Sequence, residues 1–227
     1  MIKPIALYNA ENLAYLTYRE IESVKENKIS LLDHMNNSYS SRLHQRFLKF
    51  ILGVNRSCTN MATLGELGFF PLQMHGIVAL LSFWHRISQM PEETLVKQAY
   101  NISLNSESSE WVATVKFLTQ YLDLEKYFQN PSEVHPNQFV TVCKTKLKAK
   151  IIEQWGTYVS KVGTNQNSGN KLRFYKTFKD SFCEESYLNL VSDFQLRKVI
   201  TKFRCSDHPL EIEKGRHKKL KVEERIM

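Results

Sequence analysis

Apolar residues recur at helical spacing along almost the whole chain. From Ser38 to Leu52, Leu43, Phe47, Phe50 and Ile51 share one face at a period of about 3.6 residues. Gly53 ends that helix, because glycine adopts the left-handed conformation of a helix stop at little cost. A polar loop follows. Pro71 then suits the first turn of the next helix, where its missing N–H would be unpaired anyway. That helix reaches about Gln89, and Ile77, Leu80, Leu81, Trp84 and Ile87 form a wide stripe that predicts a central position.

Other segments follow the same pattern. Ala10 to Glu26 reads as a helix and Asp33 to Asn37 as a loop. Pro91-Glu-Glu opens a helix to about Ile102, with acids in its first turn. Ser108 or Ser109 caps one that carries Trp111, Val115, Leu118 and Leu122. The longest runs from Asn137 to about Val162, with Val140, Cys143, Leu147, Ile151, Trp155 and Tyr158 in step. Gly163 to Asn170 reads as a linker. Two or three shorter helices follow, the last over Asp193–Phe203. Its Leu196, Val199, Ile200 and Phe203 are expected inside, and its Arg197, Lys198, Lys202 and Arg204 outside. No convincing strand appears. The expected fold is all-α, an irregular helical bundle of about eight to ten helices. Its expected segments are an N-terminal part (1–42), a helical core (43–162) and a basic C-terminal subdomain (171–227).

Composition sharpens this picture in two places. Of 227 residues, 42% are hydrophobic, enough for a core. The net charge is +8, and it is uneven: 136–227 carries 19 Lys+Arg against 10 Asp+Glu, the rest 12 against 13. Such asymmetry points to an acidic partner for the C-terminal part. Cys58, Cys143, Cys183 and Cys205 lie far apart, without the paired spacing of a zinc site. No metal or cofactor is expected, and the thiols are expected to be free, in the cytoplasm or nucleus. The longest apolar run is too short to cross a bilayer, so no membrane association is expected.

The order of motifs from Leu43 onward resembles a known family. Leu43-x-x-x-Phe47-x-Lys49-x-Ile51-Leu-Gly-Val is followed by Gly65-Glu-Leu-Gly-x-x-Pro71-Leu. Then come Trp84, Gln154-Trp155, the Lys171–Lys179 element, Tyr187-Leu188, Phe203-Arg-Cys-Ser-Asp-His-Pro-Leu and Ile212-Glu-Lys-Gly-Arg216. The series is similar to the segment just after the polymerase core of animal non-LTR (LINE-type) retrotransposon reverse transcriptases. Residues 1–42 match poorly. The resemblance implies a helical connector between polymerase core and a zinc-knuckle-like segment, hence a truncated, retrotransposon-derived protein.

Candidate chemistry is sparse. The family's polymerase holds two Mg²⁺ ions with paired aspartates. Here Asp33, Asp123, Asp180, Asp193 and Asp207 are scattered, so no enzyme is expected. Gly65-Glu-Leu-Gly68 lacks the Lys-Ser/Thr of a phosphate loop and reads as a tight turn. Glu66 is expected to cap a helix or pair with a base. One functional surface remains: Lys144, Lys148, Arg197, Lys198, Lys202, Arg204, Arg216, Lys218 and Lys219, with Lys146 and Lys150 beside them. Cations on helix faces meet phosphates rather than base edges. The expected partner is RNA or single-stranded DNA. The alternative is an inert remnant, or a helical protein-interaction module without nucleic-acid binding.

Overall fold

A computed structural model describes residues 9–10, 14–106, 108–161, 172 and 175–207. Among these residues the protein is all-α: twelve α-helices, a 3₁₀ turn at Pro131–Glu133, and a single isolated bridge in place of any sheet. We number the helices α1 (Tyr18–Lys25), α2 (Leu31–Asn37), α3 (Tyr39–Leu52), α4 (Asn60–Leu67), α5 (Gln73–Ser88), α6 (Leu95–Asn105), α7 (Glu110–Tyr121), α8 (Glu125–Gln129), α9 (Pro136–Lys161), α10 (Tyr175–Phe178), α11 (Tyr187–Leu190) and α12 (Phe194–Arg204). No helix among the described residues is long and apolar enough to cross a membrane.

The chain forms two compact units. Unit 1 comprises 1–42 and 70–154; unit 2 comprises 43–69 and 155–227. The sequence reading divides the chain into consecutive segments, whereas the contacts join 43–69 to the C-terminal part. Residues of α3 and α9 occur in both units.

Unit 1 is built around α5, whose Ile77, Leu80, Leu81, Trp84 and Ile87 are buried as the stripe predicts, with Met74 buried too. The Trp84 ring stacks on Phe128 at 5.3 Å, and its N–H donates to the Tyr100 hydroxyl at 3.1 Å. Helices α2, α6 and α7 pack against α5. Extended backbone before α1 is clamped to α7: the Leu16 N–H donates to Thr114 Oγ1 at 2.8 Å, and that hydroxyl is 2.9 Å from Leu16 O.

Several local features depart from the sequence reading, among them the start of α6 at Leu95 rather than Pro91, which leaves no acid in its first turn. The stretch Asp33–Asn37 is helical, because Ser30 caps α2 and Leu31, Leu32 and Met35 are buried. Before α1 the chain is extended at Thr17, where Thr17 and Glu20 form a capping box that starts the helix afresh. The polar stretch after Gly53 contains α4, capped by Thr59. The expected linker Gly163–Asn170 and basic tail Gly215–Lys221 lie outside the described residues.

Candidate interaction interface

Helix α4 is the pivot of unit 2, and two glycines let other segments reach it. Gly68 ends the helix at φ +62, and a Cβ there would lie 2.5 Å from the Glu184 backbone nitrogen. Only glycine fits, since the backbone of 184–185 crosses at this point. Leu67 and Glu184 form the isolated antiparallel bridge, and Glu185 N donates to Glu66 O at 3.0 Å. At Gly65 a Cβ would meet the Tyr175 hydroxyl at 2.7 Å and the Trp155 ring at 2.9 Å. Its absence lets Trp155 Nε1 donate to Met61 O at 3.0 Å and the Tyr175 hydroxyl to Ala62 O at 3.2 Å.

Between these glycines Glu66 is fully buried. Arg204 grips it with two bonds, Nε to Oε2 at 2.9 Å and Nη2 to Oε1 at 3.1 Å. The Tyr187 hydroxyl donates to Glu66 Oε2 at 2.7 Å and lies 2.7 Å from Thr201 Oγ1. Arg204 Nη2 also reaches Glu185 at 2.9 Å, and Glu185 binds the buried Lys179 ammonium. Two acids thus face two bases, and each charge has a partner, as burial demands. Burial and the Glu66 charge push the Tyr187 and Tyr175 hydroxyls up, so both stay protonated donors. Burial opposes charge on Arg204, yet Glu66 and Glu185 hold its guanidinium above the ordinary value. The expectation that Glu66 pairs with a base therefore corresponds to the Arg204 contact. Such a closed set orders four chain segments, and each carboxylate is occupied.

The expected basic residues are divided between the two units and the residues outside the description. Lys144 and Lys148 are exposed on α9 in unit 1, and the Lys148 ammonium sits over the Phe70 ring at 5.3 Å. Lys146 lies 3.6 Å from Asp123, and Lys150 3.8 Å from Glu153. Arg197, Lys198, Lys202 and Arg204 belong to unit 2 and are half-buried. Arg197 Nη1 donates to Leu188 O at 3.0 Å. The Lys198 stem covers Gly53, where a Cβ would meet its Cγ at 2.7 Å. Arg204 is taken up by the buried network rather than turned to solvent. Arg216, Lys218 and Lys219 lie outside the described residues.

The outward face of α12 is apolar, the reverse of the sequence reading. Leu196 is 52% exposed, Val199 63% and Phe203 55%, while Thr201 is buried. With Thr201 and Arg204 turned toward Tyr187 and Glu66, residues 196, 199 and 203 must face away. Helix α3 shows the same inversion. Ser41, Gln45, Leu48 and Leu52 are buried, whereas Leu43, Phe47, Phe50 and Ile51 are exposed. In unit 2, Leu48, Leu52, Leu64 and Leu67 form a core cluster with Phe182 and Leu188 against it. Beside it lies a groove of about 380 Å³, bounded by Ile51, Leu52, Leu67, Leu188, Phe194 and Arg197. The pattern that could have revealed the inward stripe of α3 is the spacing Ser41, Gln45, Leu48, Leu52, which its polar members disguise.

All four cysteines are free, and no cluster of three His, Cys, Asp or Glu side chains suited to a metal occurs among the described residues. No protein-family model, curated protein or solved structure matches the chain.

Proposed function

We propose that the chain works by binding rather than catalysis, and that unit 2 docks another protein. One observation carries this reading: the large apolar side chains left in solvent on α3 and α12, Phe50 at 78% and Val199 at 63% exposure among them. Large exposed apolar patches, unlike apolar side chains exposed singly, mark interaction sites. Kinship with the connector of non-LTR reverse transcriptases is part of the proposal. Residues from its separate motifs (Gly65, Gly68, Trp155, Tyr175, Lys179, Tyr187 and Arg204) meet in unit 2, which supports a shared architecture there.

A second reading has its own support. Exposed Phe47, Phe50 and Phe203 share helices with Arg46, Lys198 and Lys202, and rings among cations suit single-stranded nucleic acid. Parallel proximity labelling and RNA cross-linking in cells separates the two, using the full chain and its Phe50→Glu/Val199→Glu variant. The docking reading expects the variant to lose protein neighbours while RNA recovery stays at background. Unchanged protein neighbours together with a loss of cross-linked RNA would establish the second reading instead.

A further inference from the structure

We infer that Cys58 and Cys205 form a dithiol that a peroxide oxidises to a disulfide within unit 2, a modification site independent of the docking reading above. The placement of the two side chains is the first support. Asp207 ties together the segments that carry them: its carboxylate accepts from Asn55 N at 2.6 Å and from the Asn55 side-chain amide at 3.2 Å. Cys58 N donates to Asn55 O at 3.0 Å, closing the turn before α4, and Cys205 N donates to Thr201 O at 2.9 Å at the end of α12. Both side chains are buried, 3% and 1% exposed, and the two thiols are hydrogen-bonded to each other. A single buried cysteine serves as a small apolar side chain. Two in contact, on segments pinned together, also bring sulfur to sulfur, the first requirement for a bond between them.

The surroundings set the order of attack. Hydrogen bonding from Cys205 holds Cys58 below the ordinary thiol value, against burial and the Asp207 charge, and Lys49 and Thr63 act in the same direction. The Lys49 ammonium is fixed in the same turn, donating to Arg56 O at 3.0 Å. Cys205 is pushed up by its contact with Cys58 and by burial. Cys58 is therefore the sulfur that deprotonates first. It follows directly on the exposed Asn55, Arg56 and Ser57, so local opening of that turn, without unfolding of α4 or α12, admits a molecule as small as hydrogen peroxide. The Cys58 thiolate attacks one peroxide oxygen, the O–O bond breaks, and the departing hydroxide takes up the proton that Cys58 released. Cys58 is then a sulfenic acid. The Cys205 sulfur attacks the Cys58 sulfur, the S–O bond breaks, and the hydroxyl leaves as water with the Cys205 proton. Two thiols have given two electrons to one peroxide, and the products are one disulfide and two waters. The new bond joins the residue before the Thr59 cap of α4 to the residue after Arg204, so it locks together the two helices that carry the Glu66–Arg204 pair. It also closes a long loop, which restricts the unfolded chain and favours the folded one.

The test uses the full chain with its exposed cysteine replaced, Cys183→Ser, so that bridges between molecules do not compete. After hydrogen peroxide, the intact mass should fall by two hydrogens, and proteolysis should release a peptide joining Cys58 to Cys205. Cys143, pushed up to about 12 by burial, should remain open to alkylation once the chain is unfolded. The melting midpoint should rise by several degrees and return when a thiol reductant is added. Adding Cys205→Ala should strand the sulfenic acid on Cys58, where dimedone traps it; adding Cys58→Ala should leave no dimedone adduct on Cys205. The trapping pattern distinguishes an ordered pair from a merely structural one, and the same peroxide treatment in urea should lose the pairing. Both thiols still open to alkylation after peroxide, a bridge to Cys143, a disulfide formed only in urea, or a midpoint lowered by oxidation would each overturn the inference.

Discussion

Glu66 takes a charge out of water entirely, so its partners are obligatory. Arg204 supplies two hydrogen bonds and Tyr187 a third. Arg204→Ala would leave the carboxylate buried with the Tyr187 hydroxyl as its main donor. Removing one member of a buried ion pair costs about 3–5 kcal/mol. Chemical denaturation should show a loss of that size; a loss below about 1 kcal/mol would mean that water reaches Glu66. Histidines supply a second test at this scale. Burial holds His85 below the ordinary histidine value, despite the hydrogen bond of its ring to Pro131 O, and burial does the same to His34. Both are therefore favoured neutral in the folded chain, while the unfolded chain takes up protons below about pH 6.5. The unfolded state then binds more protons, so stability present above that pH is lost as pH falls toward the folded-state values. Thermal melts from pH 7 to pH 5 should show a falling midpoint, with a shallower fall for His85→Gln. A midpoint indifferent to pH over that range would refute the assignment.

Helices were legible in the sequence, and their orientations were not. The Gly53 stop, the Ser109 cap, the extent of α9 and the buried stripe of α5 all follow from local spacing and capping chemistry. Periodicity reports that a helix has an apolar stripe; it does not report that the stripe faces a core. On α12 the side of the helix facing inward depends on Glu66, 138 residues away along the chain from its partner Arg204. No local pattern contains that constraint. Two substitutions on α12 separate the alternatives. Leu196→Glu should change stability by less than about 0.5 kcal/mol, since it alters an exposed position. Asp193→Ala should cost about 1 kcal/mol, because the Asp193 carboxylate accepts from Leu196 N at 2.9 Å and caps the helix. If Leu196→Glu instead unfolded the protein, the orientation expected from periodicity would be restored. The short α4 escaped sequence reading for a different reason. Thr59 and Gly68 bracket eight residues, and seven of them are buried, so no polar face breaks the run into a recognisable period.

Charge and apolar surface coincide only when the whole molecule is considered by units. Along the sequence the basic excess begins near Pro136, because the lysines of α9 count with the C-terminal part. In the fold, Lys144 and Lys148 belong to unit 1, whose acids and bases balance, and the entire excess of +8 falls to unit 2. The candidate nucleic-acid residues were legible in the sequence as cations, whereas the partners that several of them meet were not. Lys146 and Lys150 lie near carboxylates, Arg204 is consumed by Glu66, and Arg197 is tied to Leu188. Each withdrawal lowers the number of phosphates that could be met at once. Binding to single-stranded RNA should accordingly stay in the non-specific range, with Kd of about 10⁻⁴–10⁻⁶ M at physiological salt. Its slope of log K against log salt should lose roughly 0.7 for each phosphate contact removed. Lys198→Ala/Lys202→Ala should flatten that slope, whereas Lys144→Ala/Lys148→Ala, in the balanced unit, should leave it nearly unchanged. Anisotropy titrations across a salt series decide the matter. A Kd tighter than about 10⁻⁸ M, the range of specific complexes, would place nucleic acid ahead of protein as the partner of unit 2.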